Sequence, residues 1–93
     1  MMIRVIKHRG LKRLYETDNA SGVLSQYVSK IKRILFALDP ADDIEELNLP
    51  GFRIHSLSGN LKGFWSITVS GNLRIIFRFE NGDVFEVDLV DYH

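Results

Sequence analysis

The chain has 93 residues, which predicts a single domain over residues 1–93. It has no cysteine, which excludes disulfides and thiolate metal sites, and its 12 basic and 12 acidic side chains give a formal net charge of zero. Its apolar runs are too short to span a membrane and its N-terminal stretch lacks the apolar core of a signal peptide, so we expect a soluble, cytoplasmic protein. The charges are segregated, since residues 1–33 carry eight bases and two acids and residues 51–79 carry four bases and no acid, a pattern compatible with a local basic surface for nucleic acid.

The first half of the chain predicts a short strand followed by helices. Residues 3–6 alternate as in a brief edge strand, and the stretch GLKRLYE has apolar residues at helical spacing. A clearer helix is predicted over residues 24–38, where one apolar stripe ends at Asp39-Pro40. The stripe consists of Leu24, Tyr27, Val28, Ile31, Ile34, Leu35 and Leu38. The acidic segment PADDIEELNLPG is expected to form a helical turn or two.

After Gly51 the hydrophobic period changes to that of β-strands. The stretches FRIHSL, FWSITVS, LRIIFRF and VFEVDLV are separated by turn residues, and the pair Asn81-Gly82 favours a tight hairpin. The predicted fold is therefore α+β, with a short N-terminal strand, two main helices, a short acidic helical turn and a four-strand antiparallel meander.

Alternation along these strands assigns the side chains to two faces of the sheet. The face expected to pack on the helices consists of Phe52, Ile54, Trp65, Ile67, Val69, Leu73, Ile75, Phe77, Phe79, Phe85, Val87 and Leu89. The opposite face consists of Arg53, His55, Ser66, Thr68, Arg74, Arg78, Glu86 and Asp88, with Ile76 as an apolar exception.

Three side chains of this polar face suggest chemistry. His55 shares it with Arg74 and Arg78, which lie four residues apart and project to the same side. Arginine presents a planar fork of donors that fits phosphate oxygens. The alternatives are that His55 is an ordinary surface histidine and that the arginines form cross-strand pairs, for instance with Glu86 or Asp88.

The sequence ends in Asp91-Tyr92-His93, which adds a carboxylate, a phenol and a second imidazole. Cleavage of RNA by its own 2′-hydroxyl needs a base, an acid and positive charge on the phosphoryl oxygens. Two histidines can share the proton transfers near neutral pH, and an arginine can stabilise the charge that develops on the phosphate. Tyrosine is a poorer base and can instead orient groups or stack on a nucleobase. The histidines have no metal-ligand spacing and no glycine-rich nucleotide motif is present, so we expect no metal and no cofactor.

These residues lie in motifs that resemble a known family. The H-x-L-x-G at residues 55–59, the G-x-WSI-x-V at 63–69, the N-x-RI-x-F at 72–77 and the terminal DYH, together with KHRGLKRLYE near the start, resemble HigB-type toxins of the RelE/ParE superfamily. The resemblance implies a ribosome-dependent mRNA endonuclease that inhibits translation, cutting mRNA in the ribosomal A site without a metal. It also implies a HigA-like helix-turn-helix antitoxin that neutralises the toxin and brings it to operator DNA only as a complex.

Matched position by position, the resemblance implies active-site roles for His55, Arg74, Asp91, Tyr92 and His93. It further implies contacts with RNA for Lys7, Lys12 and Lys62, beside the predicted phosphate-binding residue Arg78. Two positions depart from the family pattern. Ser58 stands where a lysine is frequent, which removes one positive group beside the site, and Leu73 replaces an aromatic residue, which we expect to affect packing.

Two alternatives from another class stay open. A ParE-like toxin would act on DNA gyrase without cutting RNA, and a toxin without activity would serve mainly as a partner in an autorepressor complex. The histidines and the DYH ending favour the nuclease, because a protein that only binds gyrase has no evident use for them.

Overall fold

The computed structural model describes residues 2–91, and it confirms the predicted α+β fold. Two helices, α1 (Arg9–Thr17) and α2 (Val28–Leu38), pack on one face of an antiparallel sheet with the strand order β1-β2-β3-β4. The strands are β1 (His55–Ser56), β2 (Phe64–Ser70), β3 (Leu73–Glu80) and β4 (Asp83–Asp91), and short 3₁₀ turns lie at Ser25–Tyr27, Ile44–Leu47 and Gly59–Leu61. Within residues 2–91 no helix has the length and apolar character needed to cross a membrane.

Helix α1 is fixed at both ends by local interactions. At its start the Nδ1 of His8 accepts a hydrogen bond from the backbone N–H of Leu11 at 3.2 Å, in the place where a serine or aspartate usually caps a helix. At its end Asp18 adopts a left-handed conformation with φ 56°, and its N–H bonds back to the last turn. The backbone then returns so close to α1 that a Cβ atom on Gly10 would lie 2.2 Å from the carbonyl oxygen of Gly22. Both positions therefore require glycine.

The apolar stripe predicted for the second helix is buried from Ile31 to Leu38. Its first member is an error of the sequence prediction. Leu24 precedes the 3₁₀ turn that leads into α2, and the residue is 65% exposed. The acidic segment forms the predicted turn at Ile44–Leu47, where Asp43 and Glu46 make a reciprocal capping box.

The predicted N-terminal strand lies next to β4, but it pairs with it only through isolated bridges. Ile3 pairs with Val84 and Ile6 with Val87, both in the parallel direction. Asp39, at the end of α2, accepts hydrogen bonds from the N–H of Ile3 at 3.1 Å and from the hydroxyl of Tyr15. This segment therefore links both helices to the edge of the sheet beyond β4.

A β-bulge in β4 makes one prediction about the sheet faces wrong. Ile76 pairs with Asp88 and Arg78 with Phe85, so β4 has one residue more than β3 between these pairs. Glu86 absorbs the irregularity with a φ of 54°. As a result Val84, and not Phe85, enters the hydrophobic core. Phe85 lies on the opposite face beside Arg78.

Candidate functional site

The face of the sheet turned away from the helices, called the outer face here, is built of three rows of side chains in register across the strands. The turn row at the β2–β3 turn contains Thr68, Arg74 and Val90. The middle row contains His55, Ser66, Ile76 and Asp88. The far row contains Phe64, Arg78 and Phe85. The three polar residues singled out from the sequence thus share one face, as predicted.

His55 stands exposed at the edge of the middle row. The preceding residues hold it there, because Phe52 is fully buried and its carbonyl accepts from the N–H of Thr68 at 2.8 Å. The Nδ1 of His55 lies 3.1 Å from the carbonyl oxygen of Arg53. A carbonyl oxygen only accepts, so Nδ1 carries the proton of this hydrogen bond, and in the neutral ring Nε2 keeps its lone pair. The ring is therefore oriented to take a proton at Nε2.

Arg74 lies on the neighbouring row, beside the β2–β3 turn. Its Nη1 donates to the carbonyl oxygen of Leu73 at 3.1 Å and to that of Gly71. Among residues 2–91, Nε and Nη2 have no hydrogen-bond partner, so two donors of the fork stay available. The Cα atoms of His55 and Arg74 are about 12 Å apart, being two strands across and one pleat along. Both side chains can reach one phosphodiester from these positions.

Asp91 does not join them on the outer face. It pairs with Leu73, whose side chain packs against the core, so its register places it on the helix side of the sheet. Tyr92 and His93 lie outside the described residues, and their predicted roles stay predictions. The ladder of β4 does continue through Val90 beside Arg74 to Asp91.

Arg78 forms the cross-strand pairing that the sequence left open. Its Nε donates to Glu86 at 3.0 Å, its Nη1 contacts Glu80, and its guanidinium carbon lies 4.9 Å from the centroid of the Phe85 ring. Two carboxylates therefore already neutralise its charge. A role in contacting phosphate stays a prediction that this pairing does not favour.

The three lysines are exposed but dispersed. Lys7 belongs to the N-terminal segment beyond β4, four strand positions from His55, and its backbone N–H donates to Val87. Lys12 lies on α1, in the helical layer. Lys62 follows the Gly59–Leu61 turn, near the Phe64 end of β2. Lys12 therefore lies away from the outer face, and Lys7 lies beyond the sheet edge opposite to His55.

Two features of the outer face went unrecognised in the sequence. Ser66 is completely buried, and its hydroxyl has no hydrogen-bond partner in the described part of the chain. Alternation predicted its direction, but a short polar residue between His55 and Ile76 gives no signal of burial. The second feature is the row of Phe64, Arg78 and Phe85, which the bulge creates. Residues 2–91 contain no group of three or more metal-ligating side chains that could hold an ion.

Sequence comparisons identify a family and relatives that match nearly the whole chain. The model of a family described as a RelE-like toxin of the type II toxin–antitoxin system HigB matches residues 4–93. A relative from Proteus vulgaris, "Endoribonuclease HigB", is 47% identical over 92 residues, which cover 99% of this chain and 100% of that protein. "Toxin HigB-1" from Vibrio cholerae is 36% identical over 78 residues, covering 82% of each chain.

Solved structures share the fold at low sequence identity. A chain in the heterotetrameric YoeB–YefM toxin–antitoxin complex from Staphylococcus aureus has a TM-score of 0.61 at 19% identity, and the match covers 100% of this chain and 97% of that one. A YafQ mutant from E. coli has a TM-score of 0.59 at 15% identity, with 96% and 90% covered. At these identities the likeness shows the arrangement of helices and strands, and it does not assign a site.

Proposed function

We propose that this chain, which belongs to the HigB-like family of RelE-like toxins of type II toxin–antitoxin systems, is a ribosome-dependent mRNA endonuclease. The observation that carries the proposal is the common outer face of His55 and Arg74, which puts an oriented proton acceptor within reach of one phosphate together with an arginine whose Nε and Nη2 have no partner among residues 2–91. The 47% identity to a relative named as an endoribonuclease supports the same reaction.

The proposed reaction is the attack of a ribose 2′-hydroxyl on the adjacent phosphorus. His55 takes the 2′-hydroxyl proton at Nε2, the 2′-oxygen forms its bond to phosphorus, and the bond to the 5′-oxygen breaks. His93 gives a proton to that departing oxygen, which leaves a 2′,3′-cyclic phosphate and a 5′-hydroxyl. Each acid–base group contributes roughly 10²- to 10⁴-fold. Because side chains supply the proton transfers and the positive charge, this scheme requires no metal or cofactor.

Arg74 is assigned to the scissile phosphate. As Nη1 holds the turn carbonyls, Nε and Nη2 can bind the non-bridging oxygens, where negative charge grows in the transition state. Tyr92 and Asp91 are assigned to orienting the reacting groups or stacking on a base. Asp91 would act from the end of β4, since its register does not place it beside His55.

The proposed partners are an antitoxin, the small ribosomal subunit and mRNA. Membership of a toxin–antitoxin family supports a cognate antitoxin, for which we propose a HigA-like helix-turn-helix protein that carries the complex to its operator DNA. The substrate is proposed to be mRNA in the A site, in the cytoplasm. Lys7, Lys12 and Lys62 are exposed, and their separation favours contacts with extended ribosomal RNA over contacts with one phosphate.

The proposal is tested by mapping mRNA ends in a translating extract supplied with wild type, His55→Ala, His93→Gln and Glu45→Gln. Glu45 is an exposed residue of the acidic turn and serves as the control. We expect the wild type and the control to cut at the same positions and both histidine variants to lose at least about 10²-fold in rate. Undiminished cutting by His55→Ala would refute its role. Intact transcripts with damaged DNA would identify a gyrase toxin instead.

A further inference from the structure

We propose that Arg78 contacts the mRNA as a flat surface on which an unpaired base stacks, and not as a ligand of phosphate. This inference rests on the proposed nuclease function and extends it to a second position on the outer face. Arg78 and Arg74 both lie on β3, about 13 Å apart along the strand. A single RNA strand laid along this face can therefore reach both residues.

The charges around Arg78 oppose a phosphate contact. Its Nε lies 3.0 Å from a carboxylate oxygen of Glu86 and its Nη1 contacts the carboxylate of Glu80, so one positive charge faces two negative charges. Arg74, by comparison, contacts backbone carbonyls and no carboxylate among residues 2–91, so no acidic side chain there offsets its charge. A phosphate approaching Arg78 would meet a locally negative site, and it would have to displace a carboxylate.

The same contacts favour stacking. The donors Nε and Nη1 lie in the guanidinium plane, so two carboxylates that bind them fix the orientation of that plane. The ring of Phe85 supports it at 4.9 Å, and 30% of the Arg78 side chain is exposed. Nucleobases from single-stranded RNA stack on arginine planes and on aromatic rings, irrespective of which base is presented.

Phe64 extends this surface across the sheet. It pairs with Arg78 from β2 while Phe85 pairs with it from β4, so three planar groups occupy the far row. The register depends on Glu86, a non-glycine residue with a φ of 54° at the bulge. Without this additional residue, strict alternation would put the Phe85 ring into the core. The strained backbone thus produces a partly exposed aromatic surface on the face that carries His55.

The test compares the rate of mRNA cutting in a translating extract for wild type, Arg78→Lys and Phe85→Leu. Lysine keeps the charge and can still pair with Glu86, but it has no plane. Arg33→Lys is the matched control, because Arg33 also lies over an aromatic ring, Phe52, at 5.3 Å, yet it belongs to α2 in the helical layer. We expect Arg78→Lys and Phe85→Leu to cut about tenfold more slowly at every mapped site, and the control to match wild type.

The double variant Glu80→Gln plus Glu86→Gln separates stacking from phosphate binding without removing the arginine. If Arg78 bound phosphate, freeing its charge would speed cutting at low salt and steepen the salt dependence. Stacking predicts a rate at or below that of wild type and an unchanged salt dependence. Wild-type rates for Arg78→Lys, or faster cutting by the double variant, would overturn the inference while cutting itself continues. Absence of cutting by the wild type would instead refute the proposed nuclease.

Discussion

Replacing Arg74 with lysine keeps the positive charge of the turn row and removes the planar fork of guanidinium donors. In the wild type, Nη1 is bound to the carbonyl oxygens of Leu73 and Gly71, while Nε and Nη2 have no partner among residues 2–91. One planar group can therefore hold the turn and a phosphate simultaneously. An ammonium group has a single nitrogen, so it must leave the turn carbonyls in order to reach the phosphate.

The expected loss of cutting rate follows from this sharing of the guanidinium donors between the turn carbonyls and the phosphate. Removing one well-placed donor to a developing oxyanion lowers the rate about 10²- to 10³-fold. Lysine retains the long-range attraction, so we expect about 10²-fold for Arg74→Lys and about 10³-fold for Arg74→Ala. The free energy of unfolding should fall by no more than about 1.5 kcal/mol, since only hydrogen bonds to a partly solvated turn are lost.

Single-turnover cutting of mRNA on purified ribosomes measures the rate, and urea unfolding measures the stability of each variant. Arg9→Lys, an exposed arginine at the start of α1, is the control for loss of a guanidinium away from the outer face. A rate for Arg74→Lys within about threefold of wild type would refute the two-donor reasoning. An equal loss for Arg9→Lys would show that a general effect of arginine is being measured.

Three further substitutions test the scaffold. Gly10→Ala puts a Cβ atom 2.2 Å from the Gly22 carbonyl oxygen, so urea unfolding should show a loss of about 1–3 kcal/mol. Burial, and then the hydrogen bond to Asp39, raise the pKa of Tyr15 to about 12, above its ordinary value of 10. The raised pKa stabilises the folded state fully below pH 10, and this stabilisation is lost as the pH rises through about 12. The free energy of unfolding of the wild type should therefore fall at alkaline pH, and Tyr15→Phe should reduce that fall by up to about 1 kcal/mol in a pH series of unfolding curves. Ser66→Ala deletes a buried hydroxyl that has no hydrogen-bond partner among residues 2–91, and the calorimetric stability should stay unchanged or rise by up to about 1 kcal/mol. A clear loss would reveal a partner for this hydroxyl.

Short-range patterns in the sequence sufficed for most of the architecture. The period of the apolar residues located the helical stripe from Ile31 to Leu38, and alternation placed His55 and Arg74 on a common face. Both signals depend on local geometry, because a helix buries every third or fourth residue and a strand every second one. The turn at Asn81-Gly82 connects β3 and β4 as its residue types indicate.

The features that the sequence patterns did not predict depend on irregular backbone, such as a bulge or a 3₁₀ turn, and on contacts between residues distant in the chain. A bulge inserts one residue without a distinctive residue type, so nothing in VFEVDLV shows that Val84 replaces Phe85 in the core. Leu24 has the spacing of the helical stripe, but the chain enters α2 through a 3₁₀ turn. The pairing of Arg78 with two glutamates required the register of β4, which only the folded sheet specifies.

The pairing of the N-terminal segment with β4 has a consequence for the order in which the protein is made. The backbone N–H of Met2 and a carboxylate oxygen of Asp83 lie 3.2 Å apart although 81 positions separate the two residues in the chain. A contact of such long range closes slowly, and it cannot form until the last hairpin has left the ribosomal exit tunnel. During synthesis, β3 also lacks β4 on one side, so the far row is incomplete. The outer face, on which the proposed RNA contacts depend, is therefore complete only when translation of the chain is nearly finished.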